Sequence, residues 1–522
     1  MLIDFIQNQN SVEFSYVNEK GYIEVEELFM EPNSPNGFYQ IVETTEDDPD
    51  KLKDLTSFRG NPIKKEIAKS FRKLNQNEFI NVTLKELNPA LYEKISWLKE
   101  PKIYSIDIET QITDEYGYSD EDHADNEIIS ISITNEYLNT ILFIVKNPKE
   151  PLKDLPIKSR NYIESLLESQ LGKYYNMAGP TQNMPCGFSI QEFETEADML
   201  VAFVAAVQKY FHMIIGWNIF GYDLKYIFKR CDKKGIDYKK MSPVNALAPE
   251  KKSINLALEV PLKYPRHRLA ADYMRIFKAS ETFRNLDSYS LDNVSHVVLE
   301  LGKVTYEGNL RKLYETDYLK FVAYALVDTI LVMLLHLQTN LLSTYFFQSY
   351  YNSLPYMRLN QNPISEALIY RELRRKNLFI VESEYPKKVY NSYPGGFVKL
   401  PTVHEVLSAM GIDFNSLYPN AMISCYLSFD NKFDDTIKMD EFGKPVNEFN
   451  RQKFEKYKSM GYCITPMGRI YKADENNIYT QIEKNLLAER KIYKKAKEDI
   501  YMNIIPSIEA EIERRKSLKV QH

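Results

Sequence analysis

The chain has 522 residues, with 72 acidic and 66 basic side chains and a formal net charge of -6 at pH 7. A chain of this length folds as several domains, and its 44% apolar and 26% charged residues are typical of a soluble globular protein. The acidic balance excludes a globally basic nucleic-acid-binding protein, so any such binding must rest on local patches.

Two sequence features bear on the cellular compartment: the spacing of the four cysteines and the composition of the first ten residues. No CxxC pair occurs among Cys186, Cys231, Cys425 and Cys463. Such spacing argues against a disulfide framework or a zinc site and suits a reducing compartment. Residues 1–10 lack the basic and apolar regions of a signal peptide, so we expect a cytoplasmic protein.

Residues 1–98 combine short alternating runs, such as Val12–Tyr16, with the turn signals of Pro32–Gly37 and the acidic loop Glu46–Asp50. This pattern predicts a small α+β domain. We find no catalytic-site signal in it.

The first chemical signal is the β-rich run Ile103–Thr110. It places Asp107 and Glu109 two residues apart, and hence on the same face of a strand. Adjacent acids repel each other, so they lie either on an open solvent face or beside cations that neutralise them. The flanking isoleucines favour a buried strand. Two more strands are predicted, over residues 127–134 and 140–145.

A helix is predicted over residues 194–211, followed by an apolar strand that ends at Trp217 and Asn218. A glycine turn then leads to Asp223 at the start of the next helix. Taken alone, Asp223 is better explained as a helix N-cap.

Residues 318–338 predict one long helix with Tyr324 and Asp328 on the same face. The segment is apolar enough to suggest a membrane span. Asp328 at its middle and the absence of basic flanks favour a buried core helix instead. An acid in such a helix must be paired or bind a metal.

Residues 340–385 contain a predicted helix near residues 364–377 and are typical of a linker that folds back onto an earlier domain. The glycine pair in Tyr393–Val398 indicates a turn. An apolar run then ends at Asp413, and Pro419 interrupts the backbone, so we expect Asp413 at the end of a strand. Alone, it either caps a turn or binds a divalent cation.

Together, the acids upstream of residue 340 resemble the three motifs of a DEDDy exonuclease with a ribonuclease-H-like fold. The matching segments are Asp107-x-Glu109, Gly216–Asp223 and Tyr324-(x)3-Asp328. Phosphodiester hydrolysis by two divalent ions about 4 Å apart needs several oxygen ligands and a group that orients the attacking water. The four acids can supply the ligands, and the Tyr324 hydroxyl can orient the water.

Such an exonuclease, followed by Tyr393-x-Gly-Gly and by Asp413-Phe-Asn-Ser-Leu-Tyr-Pro419, resembles the N-terminal portion of a family B DNA polymerase. With the later segment Gly461–Arg469, the chain is most similar to the replicative polymerases of T-even phages.

The resemblance implies an α/β (mixed α+β) chain of five parts. They are an N-terminal domain in two pieces (1–98 and 340–385), an exonuclease domain (99–339), a partial palm (386–475) and partial fingers (476–522).

The resemblance also implies the roles of single residues. Asp413 would be a catalytic metal ligand, joined by the Phe414 carbonyl. Ser416, Leu417 and Tyr418 would bind the nucleotide, with Tyr418 as the steric gate against a 2′-hydroxyl. Residues 393–396 would partition the primer between the two active sites, and Asn420 stands where the family usually has Ser.

In the family, cations that match Arg490 and Lys494 reach the incoming triphosphate. Their four-residue spacing puts both on one side of a helix, as phosphate binding needs. By composition alone, this basic face is only a solvated surface.

The implied cofactors are two Mg²⁺ ions per active site, or Mn²⁺. The implied partners are a DNA primer-template, dNTPs and a sliding clamp, with no membrane.

Two family motifs, Lys-(x)3-Asn-Ser-x-Tyr-Gly and Asp-Thr-Asp-Ser, do not follow Asp413 in this sequence. We therefore expect the N-terminal part of a DNA polymerase with a proofreading 3′-5′ exonuclease, completed by a separate C-terminal chain. Two alternatives remain open: a stand-alone 3′-5′ exonuclease and a nucleic-acid-binding module.

Overall fold

A computed structural model describes residues 2–67 and 356–379 with gaps, and residues 101–147, 188–248, 263–352 and 410–511. The chain divides into two compact units. The first contains residues 1–38 and 68–364, and the second contains residues 39–67 and 365–522.

The N-terminal residues form strands in both units. In the first unit, β1 (Leu2–Gln7), β2 (Ser11–Val17) and β3 (Ile23–Phe29) pair as an antiparallel sheet that buries Phe14 and Tyr16. In the second unit, β4 (Tyr39–Glu43), β5 (Lys51–Ser57) and β6 (Pro62–Ile67) pair antiparallel. The alternating run Val12–Tyr16 therefore lies within a strand, as predicted.

A six-stranded mixed sheet is the centre of the first unit. Its strands, in chain order, are β7 (Ile103–Thr110), β8 (Ile128–Asn135), β9 (Thr140–Val145), β10 (Phe188–Phe193), β11 (Met213–Gly216) and β14 (Leu269–Asp272). Two short strands that precede β14 in the chain, β12 (Leu247–Ala248) and β13 (Tyr264–Pro265), pair antiparallel in a separate sheet. The order across the sheet is β10-β9-β8-β7-β11-β14.

The strand directions confirm the ribonuclease-H-like fold. Strands β7, β8 and β9 are antiparallel neighbours, whereas β11 runs parallel to both β7 and β14, and β10 runs parallel to β9. The predicted bounds of β7 and β9 are confirmed, and β8 begins one residue later than expected.

Helices of the first unit cover this sheet and fill its core. They are α1 (Glu196–Tyr210), α2 (Asp223–Lys233), α3 (Tyr273–Ala279), α4 (Leu291–Leu299), α5 (Leu310–Thr316), α6 (Tyr318–Thr339) and α7 (Leu341–Asn352). The Thr195 hydroxyl caps α1 by accepting from the Asp198 backbone N–H. Leu200 and Phe203 of α1 are fully buried in the core.

Helix α6 is the apolar helix for which the sequence allowed a membrane span. It is long and apolar enough to cross a membrane, but 83% of its most apolar 18-residue window is buried inside the fold. It packs on β7, β8 and α4. The prediction of a buried core helix is therefore confirmed.

Three buried hydroxyls hold α6 against the sheet. The Thr134 hydroxyl on β8 lies 2.9 Å from that of Thr140 on β9 and 2.8 Å from that of Thr329 on α6. An apolar helix surface alone specifies its axial position weakly, whereas a buried hydrogen bond loses most of its energy when the helix slides. These threonines therefore help to fix the position of α6.

The second unit contains a four-stranded and a three-stranded sheet. Its further elements are α8 (Gln361–Arg375, which begins in the first unit), β15 (Leu378–Phe379), α9 (Leu417–Ser424), β16 (Lys432–Thr436), α10 (Glu448–Ser459), β17 (Tyr462–Ile464), β18 (Arg469–Lys472) and α11 (Ile478–Asp499). Strand β15 pairs parallel with β5, so a segment after residue 340 does return to an early strand.

One expectation was wrong. The sequence predicts Asp413 at the end of a strand, but residues 410–414 of the described structure lie outside any strand. A strand is stable only when a neighbour satisfies its backbone groups, and no described segment pairs with these residues. The Tyr393–Val398 turn lies outside the described residues.

We predict that Arg230→Ala strongly destabilises the first unit. Its Nε donates to Glu196 Oε1 at 2.8 Å, and its Nη1 donates to the carbonyls of Ala124 and Asp125 at 3.1 Å. Because both charged groups are buried, removal of one partner should lower the free energy of unfolding by about 3–5 kcal/mol, measured by urea denaturation.

The matched control is Lys233→Ala. Lys233 also lies on α2, but its ion pair with Asp125 is solvent-exposed, with 40% of the lysine side chain accessible. Lys233→Ala should lower the free energy of unfolding by less than about 1 kcal/mol. Equal effects for the two variants would contradict the assigned role of the buried pair.

Candidate metal centre

Two acids of the site lie on the central strand β7. Asp107 and Glu109 are opposite Ser132 and Ser130 of β8, and the two-residue repeat points both carboxylates to one face of the sheet. Glu109 is buried, whereas Asp107 keeps a partly exposed edge. Ile106 and Ile108, which alternate with the acids, point to the opposite face and are buried in the hydrophobic core.

Helix α6 brings a third acid to the same face. Ligand oxygens of Asp107, Glu109 and Asp328 all lie within 4.8 Å of one another. Asp328 is buried, and among the described residues its Oδ1 has no hydrogen-bond partner. A buried carboxylate oxygen without a donor is costly unless a cation occupies that side.

A fourth acid, Asp223, contacts the backbone of the same strand. As the first residue of α2, it accepts a hydrogen bond at Oδ1 from the Ile108 backbone N–H at 3.2 Å, between the two acids of β7. Asp223 is buried but is not a member of the tight three-residue cluster. The structure thus brings all four predicted acids to the middle of β7.

Tyr324 lies one helical turn before Asp328 on α6. Its ring contacts Tyr306 edge-on, with the ring centroids 5.2 Å apart. Burial, followed by the charges of Glu109 and Asp328, raises the pKa of its hydroxyl. Tyr324 therefore remains a neutral phenol at physiological pH and can both donate and accept a hydrogen bond.

Sequence reasoning missed Lys303. Its Nζ lies 2.6 Å from Asp328 Oδ2 and 5.5 Å from the centre of the Tyr324 ring. Its backbone N–H donates to Asp292 Oδ1 at 2.8 Å, which holds the loop. No local pattern around residue 303 marks this role, because the contact joins residues 25 positions apart.

The electrostatics of the site favour cations. Burial raises the pKa of Asp107 and Glu109 well above the ordinary range, and the neighbouring carboxylates raise it further against the opposing charge of Lys303. Burial also raises the pKa of Asp328 and brings that of Asp223 to about 7. Burial lowers the pKa of Lys303, but the combined effects of Asp328, Asp107 and Glu109 outweigh it, so the net shift is upward.

These residues fit a hard divalent cation such as Mg²⁺ or Mn²⁺. All four acids offer oxygen ligands, which these ions prefer. One lysine faces four carboxylates, so negative charge remains when all the acids ionise. The unpartnered Asp328 Oδ1 provides a ligand position that no described side chain occupies.

The residues predicted to form a polymerase site lie in the second unit and are open to solvent. Asp413, Phe414, Leu417 and Tyr418 are exposed, and Ser416 is half-buried with a left-handed φ of 50° at the start of α9.

Helix α9 packs against α11. Arg490 and Lys494 are both exposed on α11, where Lys494 Nζ lies 3.8 Å from Glu498. No hydrogen bond or ion pair recorded among the described residues joins Asp413 to these cations.

Sequence comparisons relate the chain to known polymerases. The family model of the "DNA polymerase family B, exonuclease domain" matches residues 52–294. The "DNA-directed DNA polymerase" of Enterobacteria phage T4 is 27% identical over 311 residues, which are 58% of this chain and 33% of the relative. That of Escherichia phage RB69 is 25% identical over 303 residues, 56% of this chain and 32% of the relative. The aligned part thus spans about a third of these relatives' length.

We predict that the cation-free protein loses thermal stability as the pH rises from about 4 to about 7. The folded state holds protons on these acids more tightly, since the pKa of Asp223 rises from 3.8 to about 7. Unfolding therefore releases protons, and a higher pH favours it. The melting temperature in EDTA across this pH range measures the effect.

Asp223→Asn should flatten this dependence, and added Mn²⁺ should raise the melting temperature most at the high-pH end. Identical pH slopes for the wild type and the variant would contradict the assigned titration.

Proposed function

The chain is related to the family B DNA polymerases, and from this premise we propose that its first unit is a divalent-cation-dependent 3′-5′ exonuclease acting on DNA. The observation that carries the proposal is the convergence of Asp107, Glu109 and Asp328 within 4.8 Å, beside the buried Asp223. The close approach of these three acids, with Asp223 beside them, costs free energy that a bound cation would offset.

The proposed ligands are Asp107, Glu109, Asp223 and Asp328. Bound divalent cations would supply an activated water and would neutralise charge on the scissile phosphate. Tyr324 would orient the attacking water through its neutral hydroxyl. The ion pair with Lys303 at Oδ2 would favour the ionised form of Asp328, while Oδ1, which has no partner among the described residues, would remain available to a cation.

We predict that Asp107→Ala abolishes Mg²⁺-dependent degradation of single-stranded DNA. The variant removes one ligand from a site that is worth several kcal/mol of transition-state stabilisation, so the rate should fall about a hundredfold or more. Release of nucleotides from a 3′-labelled oligonucleotide measures it.

The control for this experiment is Asp122→Ala. Asp122 belongs to a second, solvent-exposed acidic group with Asp120 and Glu121, and it pairs with Lys225. Its removal should leave the rate unchanged. Degradation that survives in Asp107→Ala would refute the assignment of the site.

We predict that Lys303→Met slows the same reaction by about tenfold to a hundredfold. Methionine keeps most of the length of the side chain but leaves Asp328 Oδ2 without its ion-pair partner. Lys303→Arg should recover part of the rate because the positive charge returns. Single-turnover rates at saturating Mg²⁺ test both variants, and a wild-type rate in Lys303→Met would exclude the proposed role.

The second unit supports a wider proposal, that the chain is the N-terminal part of a DNA polymerase. Asp413 and the Phe414 carbonyl would bind the catalytic cations. Ser416, Leu417 and Tyr418 would contact the nucleotide, with Tyr418 stacking below the sugar. The exposure of Tyr418 and the packing of α9 on α11 are consistent with this role.

Arg490 and Lys494 would bind the triphosphate, since both project from α11 into solvent. The pairing of β15 with β5 supports an N-terminal domain made from residues 1–98 and 340–385.

A separate C-terminal chain would complete this polymerase. Large apolar side chains are exposed along and after α11, where a partner polypeptide could cover them: Ile492, Tyr493, Ile500, Tyr501, Met502, Ile504 and Ile508. Exposed apolar surface of this extent is typical of protein interfaces.

The test mixes this chain with a polypeptide that carries the Lys-(x)3-Asn-Ser-x-Tyr-Gly and Asp-Thr-Asp-Ser motifs. Primer extension should then appear, and Asp413→Ala should abolish it, whereas the exposed Asp434→Ala should not. Extension that is insensitive to Asp413→Ala would overturn the palm assignment. Exonuclease activity without extension would instead favour a stand-alone nuclease.

A further inference from the structure

A fifth buried acid, Asp272, lies next to the metal centre but outside the proposed ligand set. It is the last residue of β14 and is fully inaccessible to solvent. Strand β14 runs parallel to β11, with Asp272 opposite Gly216. The acid is therefore at the strand end from which the chain continues toward Asp223.

The Asp272 carboxylate links two segments. Its Oδ1 accepts from the backbone N–H of Arg275 at 3.4 Å and so caps α3. The same oxygen accepts from the backbone N–H of Asn218 at 3.1 Å, in the turn that follows β11. One buried oxygen thus holds both a helix start and the turn over residues 217–222.

The backbone of that turn includes a residue in the left-handed region. Asn218 has a left-handed φ of 60°, and its carbonyl accepts from the N–H groups of Gly221 and Tyr222 at 2.9 and 3.1 Å. A Cβ at Gly221 would lie 2.5 Å from the Asn218 side-chain oxygen, so a larger residue there would displace the Asn218 side chain. Asp223 follows directly, and its Oδ1 must reach the Ile108 N–H.

Burying a carboxylate costs more free energy than a helix cap alone would justify. Ser, Thr or Asn caps a helix without the cost of a buried charge. A carboxylate is the stronger acceptor when two amides share it, and Arg275 Nε lies 3.4 Å from the other oxygen. Asp272 therefore does more than cap α3, because the same oxygen also holds the turn through Asn218.

We propose that Asp272 is a positioning residue of the metal centre: it fixes the turn that presents Asp223 to β7. The inference rests on the proposed function for the identity of the centre, but its mechanism is a backbone constraint. Asp272 touches neither substrate nor cation. Loss of its bond to Asn218 would let the turn relax and move Asp223 away from Asp107 and Glu109.

The experiment compares Mn²⁺ binding by the full chain without DNA, in three variants. Asp272→Asn keeps an oxygen for both amides and should bind Mn²⁺ as the wild type does. Asp272→Ser keeps a cap for α3, but its oxygen lies one atom closer to the backbone and should lose Asn218. We expect its Mn²⁺ affinity to fall about tenfold or more. Thr195→Ala removes a helix cap elsewhere in the unit and should have no effect on binding.

Hydrogen exchange over residues 217–224 provides a readout that does not depend on the cation. Asp272→Ser should accelerate it, while Asp272→Asn and Thr195→Ala should not. Wild-type Mn²⁺ affinity and exchange in Asp272→Ser would overturn the proposal, as would equal losses in the serine and asparagine variants. A wild type that binds Mn²⁺ but degrades no DNA would refute the nuclease assignment and leave the positioning role intact.

Discussion

Mutual repulsion among buried carboxylates is the constraint on which the first unit depends. Oxygens of Asp107, Glu109 and Asp328 lie within 4.8 Å of one another, and Asp223 is held against the same strand. Like charges this close, with little water to screen them, destabilise the fold that brings them together. The surrounding sheet and helices must hold the acids in place, and cations must make the arrangement favourable.

Several hydrogen bonds and one ion pair provide this support. The hydroxyls of Thr134, Thr140 and Thr329 hold the otherwise apolar α6 on the sheet, and so position Asp328. Lys303 neutralises one oxygen of that acid. Asp272 fixes the turn that leads to Asp223. Asp328 and Asp223 are thus each held by neighbours that are not themselves proposed ligands, as preorganised metal sites require.

The proposed functional residues of the two units differ in their exposure to solvent. The proposed nuclease ligands all come from β7, α2 and α6 of the first unit, where Glu109, Asp223 and Asp328 are buried. The residues proposed for nucleotide binding are exposed on α9, on α11 and before α9. A site whose side chains point into solvent needs further surfaces to enclose a substrate, which agrees with the proposal of a partner polypeptide.

Local periodicity was enough to predict much of the first unit. Alternation along Ile103–Thr110 predicted β7 with both acids on one face, and the apolar pattern around Asp328 predicted α6, because these signals lie within one element. Lys303 and Asp272 act across elements, through contacts with residues distant in sequence, so no window of sequence contained them. The strand expected at Asp413 failed for the same reason, since a strand depends on a neighbour that only the tertiary structure can supply.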